Sequence, residues 1–335
     1  MTERDRSPRG RRRRVLRRSW NGFLRHRGYD SAAALTFFTA LTVLPATLLT
    51  VSSFSLLSDR GSAVRTLGAV LGTFIPDGEQ RAVQDTLRDL LQVNVPAVAF
   101  VVGLGLTIWT LSGYTTAFGR AVNAVYEVQE GRMYWRFRGA MLLASVPLVA
   151  LGAVATSILL VTPSVARRLA GDAGIGGAVV AVWNVAKWPL LVAVLLAILT
   201  VLFRVAPNVR LTSFRLLSAG TLLSLGAWAI LTLAFAAYVT LTGTYGNLYG
   251  RLGLLLVALL WAYLSNLALM IGAQLDAEIV RLDQLERGED AVESILLPVK
   301  STHRQLVLAR RRHDDLEQAT RIRDEARARR REGPS

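Results

Sequence analysis

The side chains of this chain that could do chemistry cluster in its second half. The stretch "IGAQLDAEI" carries Gln274, Asp276 and Glu278 at the end of a long apolar run whose middle holds Asn266 beside Ser265. At helical spacing Gln274 and Glu278 share a face with Met270, whereas Asp276 points elsewhere. An ionisable group inside a membrane-crossing helix costs about 2.5 kcal/mol or more at its centre, so it calls for a partner, a watery path or a ligand. For Asn266 the plainer expectation is a hydrogen bond to a neighbouring helix. "LFRVAPNVR" adds Arg204, a cation in the last turn of a helix that Pro207 stops, placed to offset the helix dipole or to hold an anion. "GTYGNLYGRLG" adds Tyr245, Asn247, Tyr249 and Gly250 in a turn whose glycines permit positive φ and whose tyrosines suit the membrane interface. These residues form the candidate pathway or substrate-binding set.

Hydrolytic and redox chemistry find little here. There is no cysteine, and the histidines, His26, His303 and His313, lie outside every apolar run. No His-x-x-x-His pair, Gly-x-Ser-x-Gly elbow or phosphate-cradling loop occurs. The sequence therefore leads us to expect no enzyme activity, no metal and no cofactor. The run "RGRRRRVLRR" has the charge to bind nucleic acid by counterion release. Next to an apolar span, however, the same charge serves topology and attraction to anionic headgroups. Anionic lipid is the expected partner of the arm, and nucleic acid is not.

The elements that must position these residues follow from charge and hydropathy. Apolar types make up 52% of 335 residues, and 39 Lys+Arg face 24 Asp+Glu. The two excesses are segregated. Residues 1–31 form a basic arm with eleven arginines, residues 281–335 a charged tail, and between them lie runs of the roughly 20 residues needed to cross a 30 Å hydrocarbon core. Six spans are expected, at about 32–57, 95–118, 140–161, 177–203, 216–241 and 252–279, giving an all-α bundle over 32–280. Pro45 predicts a kink near Leu41. Lys187 is expected to snorkel beside Trp183 and Trp188. Arginines in the arm and in the second-to-third and fourth-to-fifth connections put these on one side, with both termini cytoplasmic by the positive-inside rule. Apolar spacing either side of Pro76 predicts two short amphipathic helices in the first outer loop. The tail is expected to be disordered or a solvated helix.

Several of these stretches resemble the YihY/BrkB family of bacterial inner-membrane proteins, over about Trp20 to Val280. "DSAAALTFFTALTVLPATLLTVS" is similar to the family's Ala-Ala-x-Leu-x-Tyr-Tyr followed by Leu-x-Pro, with Phe37 and Phe38 in the aromatic positions. "LFRVAPNVR" is similar to its Leu-Tyr-Arg-x-x-Pro through Leu202, Phe203, Arg204 and Pro207. "YVTLTGTYGNLYGRLGLLLVALLWAYLSNLALMIGAQLDAEI" supplies Tyr245, Tyr249, Gly250, Leu252, Trp261, Tyr263, Gly272, Ala273 and Leu275. Gly246, Arg251, Gln274 and Asp276 depart from the family's usual Asn, Ser, Glu and Asn. Any family chemistry at the Gln274 position would here fall to the backbone, the tyrosines or Glu278.

The resemblance implies a multi-pass protein of the bacterial cytoplasmic membrane and agrees with setting aside the ribonuclease label some members have carried. Some relatives are linked to lipid or metabolite export. The expected function is thus a transporter, or a flipping or export component, for a lipid or small organic anion. The alternative is a non-transporting scaffold that supports the envelope, and a homo-oligomer is compatible with either.

Overall fold

The structure, a computed structural model, describes residues 8–57, 96–160, 176–210, 218–242 and 250–331. The expected outer-loop helices, and Tyr245, Asn247 and Tyr249, lie outside the described residues. Eight helices are described: α1 (Pro8–Arg25), α2 (Gly28–Leu57), α3 (Pro96–Val125), α4 (Tyr134–Leu160), α5 (Gly176–Val205), α6 (Ala219–Thr242), α7 (Gly250–Glu286) and α8 (His303–Arg331). No strand occurs among the described residues; Val209 and Val299 make one isolated antiparallel bridge. Six helices, α2 to α7, are long and apolar enough to cross a membrane, as the hydropathy pattern predicts.

Helix ends differ from the apolar runs because a helix does not stop where the lipid does. α2 starts at Gly28, α3 continues to Val125 through Arg120 and Asn123, α4 begins at Tyr134, and α7 reaches Glu286. At 1.5 Å per residue, α7's 37 residues extend about 55 Å, far more than the hydrocarbon core. Its last turns project beyond that core and carry Gln274 to Glu286. It ends in a Schellman arrangement, with Gly288 at φ 80°, its N–H on Leu285 O and the Glu289 N–H on Gln284 O. α3 ends the same way but puts Glu127, a non-glycine residue, at φ 56°. α2 runs as one helix through Pro45, and α4 and α5 likewise through Pro147 and Pro189.

Packing order around the bundle is α6, α7, α2, α3, α4, α5, with α2 against α3 the most extensive pair. The last and first of these, α5 and α6, follow each other in the chain yet do not pack closely among the described residues. Hydroxyls allow close approach elsewhere. The Thr and Ser side chains of α2 from Thr36 to Ser55 donate to carbonyls one turn back, which hides their polarity from lipid. α6 and α7 cross where Gly220 faces Gly272, and a Cβ on either would strike the other's carbonyl oxygen.

From Pro8 onward the basic arm is helical and packs. α1 lies antiparallel along the end of α7, so that Val15 meets Leu275 and Leu282 and a Cβ on Gly22 would strike the Gln274 amide. The tail forms α8, whose side chains are largely exposed, matching the solvated-helix alternative.

Candidate functional site

Two features emerge, one inside the bundle and one at the end where α1 docks. That arm-side end gathers α1, the link after α3, residues 206–210 after α5, the start of α6, the end of α7 and residues 291–301. The loops that share a side by charge therefore share an end of the structure.

The first feature is a cavity of about 580 Å³ walled by residues of all six spans. Among the described residues its lining includes Leu49, Leu111, Leu195, Leu199, Trp228 and Trp261, and no Asp, Glu, Lys, Arg or His. Hydroxyls line it too, but Thr39, Thr42, Thr50, Ser53, Thr107, Ser157 and Ser265 already donate to backbone carbonyls of their own helices. Their hydroxyl hydrogens are spent within the helices, which leaves only oxygen lone pairs to receive a further bond. α5 and α6 both contribute to the wall across the side where they do not pack.

Asn266 marks the cavity's arm-side end. Its Oδ1 accepts from the Tyr114 hydroxyl at 3.0 Å, and its Nδ2 donates to Ala262 O at 3.0 Å and Thr36 Oγ1 at 3.3 Å. Tyr114 and Thr36 stand on α3 and α2, so the expected interhelical bonds are present. One turn on, Met270 is buried with Leu35, Phe118 and Phe203, the last two edge to face at 5.1 Å. Successive turns of one α7 face thus run from cavity to apolar plug to Gln274 and Glu278.

Those two side chains belong to the second feature, a polar collar. Glu278, 2% exposed, accepts from Arg18 Nε at 3.0 Å, and Gln274 Oε1 lies 3.0 Å from His26 Nδ1. Arg281, also 2% exposed, reaches Glu127 at 2.6 Å and Glu278 at 3.8 Å. Glu127 further meets Arg25 at 2.8 Å and His26 at 3.4 Å. Two carboxylates and three arginines thus meet where α1, α3 and α7 come together, with one cation in excess.

A neighbouring network closes the C-terminus of α5. Arg132 grips Glu130 through two nitrogens, at 2.7 and 2.8 Å, and donates onward to the carbonyls of Val205 and Ala206. Lys300 Nζ donates to the carbonyls of Arg204 and Pro207 at 2.6 and 2.8 Å. Cations here complement the dipole that Arg204 alone was expected to meet. Burial acts to raise the Glu130 pKa, but the hydrogen bonds and charge of Arg132 outweigh it and hold that carboxyl below its ordinary range. Burial, with the charges of Arg132 and Arg210, lowers the Lys300 ammonium to about 8 despite Glu130. Burial first, then the charge of Asp276, raises the Tyr126 phenol. Asn208, fully buried, ties Gln129, Ser301 and Asn123 together.

The candidate residues therefore divide. Asn266 lines the cavity, whereas Gln274 and Glu278 sit in the collar. Asp276 faces away, as its spacing predicts, and caps α6 by accepting from Gly220 N at 2.8 Å and Ser218 Oγ at 2.5 Å. Pro207 follows the end of α5, and the Arg204 side chain is exposed. Gly250 begins α7. Sequence reasoning missed Tyr114, Arg18, His26, Glu127, Arg281, Arg132 and Lys300 as site members. Arg281 carried a signal, a basic residue three positions after Glu278 in a continuing helix. Among the described residues no three His, Cys, Asp or Glu side chains converge as a metal site would require.

A family model described as Virulence factor BrkB matches residues 19–294. The chain belongs to the BrkB family. It is similar to a ribonuclease-like protein, YfkH, of Bacillus subtilis (strain 168), at 25% identity over 78% of this chain and 94% of the relative. UPF0761 membrane proteins of Laribacter hongkongensis (strain HLHK9) and Xanthomonas axonopodis pv. citri (strain 306) are each 27% identical, over 78% and 76% of this chain. The chain spans only 60% and 58% of those two. No solved structure matches it. The BrkB match takes in the cavity and the collar apart from Arg18, begins within α1 at residue 19, and stops short of α8.

Proposed function

We propose that this BrkB-family membrane protein moves a lipid across or out of the membrane, with the hydrocarbon part of its substrate held in the central cavity. The observation that carries this reading is a cavity of about 580 Å³ walled by every span and, among the described residues, by no charged side chain. A small organic anion would be desolvated there without a cation to meet it, at a cost of several kcal/mol. A hydrocarbon chain incurs no such penalty and gains about 0.8 kcal/mol for each methylene removed from water, or passes between lipid and cavity nearly without cost. The side between α5 and α6 faces the bilayer, the phase in which such a substrate is dissolved. Ribonuclease chemistry would require acid, base or metal groups facing a common site, and the cavity supplies none.

Purified protein in liposomes, with fluorescent phospholipids and a membrane-impermeant quencher, tests the reading. Gly152 on α4 lines the cavity, and a Cβ there meets nothing within 4 Å. Gly152→Phe should fill the cavity, leave the fold intact and abolish lipid movement, whereas Gly226→Phe, on an exposed face of α6 with similar free space, should not. Failure of the wild type to move any lipid, or full activity of Gly152→Phe, overturns it.

A scaffolding role draws support from α8, a 29-residue helix whose described side chains are largely exposed and which lies outside the BrkB match. Truncation to test it should begin after Gln305, because Lys300, Ser301 and Gln305 bond the bundle's end. Loss of an envelope phenotype on that truncation, with Gly152→Phe silent, would favour scaffolding.

A further inference from the structure

α1 has two apolar faces, and the bundle uses one. Val15, Ser19 and Phe23 are buried on the side that meets α7 and the core. Leu16, Trp20 and Leu24, at the same four-residue spacing on another face, are 61%, 57% and 48% exposed. Arg12, Arg13 and Arg17 are exposed beside them, and none of the three pairs with an acidic side chain among the described residues. Three large apolar side chains in one row, edged by cations, are what a helix lying in a lipid headgroup layer presents.

Placement narrows the occupant. Only His26 and Arg27 separate α1 from α2, a span, so α1 stands at the membrane's edge. The contacts with α7 fix its direction: Arg11 pairs with Asp283 and Glu286 near α7's end, Arg18 with Glu278, and Gly22 abuts Gln274. α1 therefore descends toward the hydrocarbon as its numbers rise, with Leu24 nearest to it and the exposed arginines farther out. Tyr134 and Trp135, 53% and 80% exposed at the start of α4, mark the same end with the aromatics expected of an interface.

We infer that the exposed face of α1 docks on an anionic phospholipid leaflet, Leu24 and Trp20 entering the acyl boundary and Arg12, Arg13 and Arg17 meeting lipid phosphates. The acids of α7 hold the opposite side of the same helix, so the leaflet and α7 share α1 between them. The inference does not depend on lipid being the transported substrate.

The absence of cysteine makes the test direct. Leu16→Cys, Trp20→Cys and Leu24→Cys, each carrying a nitroxide in the full chain reconstituted with phosphatidylglycerol and phosphatidylcholine, are compared with Leu316→Cys on exposed α8. Oxygen accessibility relative to a water-soluble nickel chelate should rise in the order 16, 20, 24 and exceed that at 316 throughout. Labels as nickel-accessible as the one at 316 overturn the inference. So does protection that persists in detergent and grows with protein concentration, which would assign the face to a second copy. Replacing Arg12, Arg13 and Arg17 with Gln should lower selectivity for phosphatidylglycerol over phosphatidylcholine by up to about fivefold per charge, read with spin-labelled lipids. Unchanged selectivity also overturns it.

Discussion

Arg281 and Glu127 form an ion pair at 2.6 Å between the extended end of α7 and the residue that terminates α3. Glu127 holds positive φ there, a conformation that costs an ordinary side chain about 1 kcal/mol or more. The chain direction it allows turns the carboxylate toward Arg281, Arg25 and His26 together. Three helices are thereby locked at one end of the cavity-bearing bundle.

Arg281→Met should destabilise the protein by about 3 kcal/mol, because it leaves Glu127 and Glu278 in a buried site with one fewer cation. Thermal unfolding in detergent, followed by circular dichroism, reads this out. Arg25→Met, which removes a mostly exposed partner of the same glutamate, should cost under about 1 kcal/mol. Equal losses from the two would mean that burial does not govern the collar.

Asp276→Asn should weaken the α6–α7 contact by about 1 kcal/mol. The aspartate caps α6 through Gly220 N–H while Ser218 caps it through Thr221 N–H, and its charge faces the positive end of the helix dipole. Asparagine keeps an oxygen for one donor and loses the charge. The measurement is again thermal unfolding, paired with lipid movement at a temperature where both proteins are folded. Activity should be retained there, since Asp276 does not face the cavity. A loss of activity without a loss of stability would return Asp276 to the pathway.

These cases show what the sequence reveals and what it hides. The spans were legible because each holds an apolar run longer than a bilayer core, and the opposed directions of Gln274 and Asp276 followed from helical spacing alone. Helices outrun the apolar runs where charged residues continue the helical path, as at Arg120 in α3 and Arg281 in α7. By sequence the arm is only a charge signal, because the row of Val15, Ser19 and Phe23 acquires meaning only against Leu275 and Leu282. Arg18 and Glu278, 260 residues apart, carry no local sign that they will meet. The cavity is a property of the walls of all six spans, and no single stretch announces it.

Lys300 predicts a pH dependence of definite sign. Its folded-state pKa lies at about 8, below the ordinary 10.5, so folding disfavours its charged form. The unfolded chain therefore binds more protons between those values, and Lys300's contribution to stability rises as pH climbs from about 8 toward 10.5. Below pH 8 the full cost of burying the charge remains. The difference in melting temperature between wild type and Lys300→Met should shift in favour of wild type across that window. A difference that is flat with pH, or that moves the other way, would contradict the assignment.

Asn266 separates the two kinds of pathway that a BrkB-family bundle could hold. Asn266→Leu removes the acceptor of the Tyr114 hydroxyl inside the bundle, which should cost about 1 kcal/mol. The double variant Tyr114→Phe/Asn266→Leu should recover most of that loss, because no buried hydroxyl is then left without a partner. A hydrocarbon chain in the cavity has no use for an amide, so both variants should still move lipid where they are folded. A polar substrate passing Asn266 toward Gln274 would instead depend on it, and both variants would lose transport while the double variant kept its stability. Lipid movement and unfolding measured on the same preparations therefore distinguish a hydrocarbon slot from a hydrophilic channel.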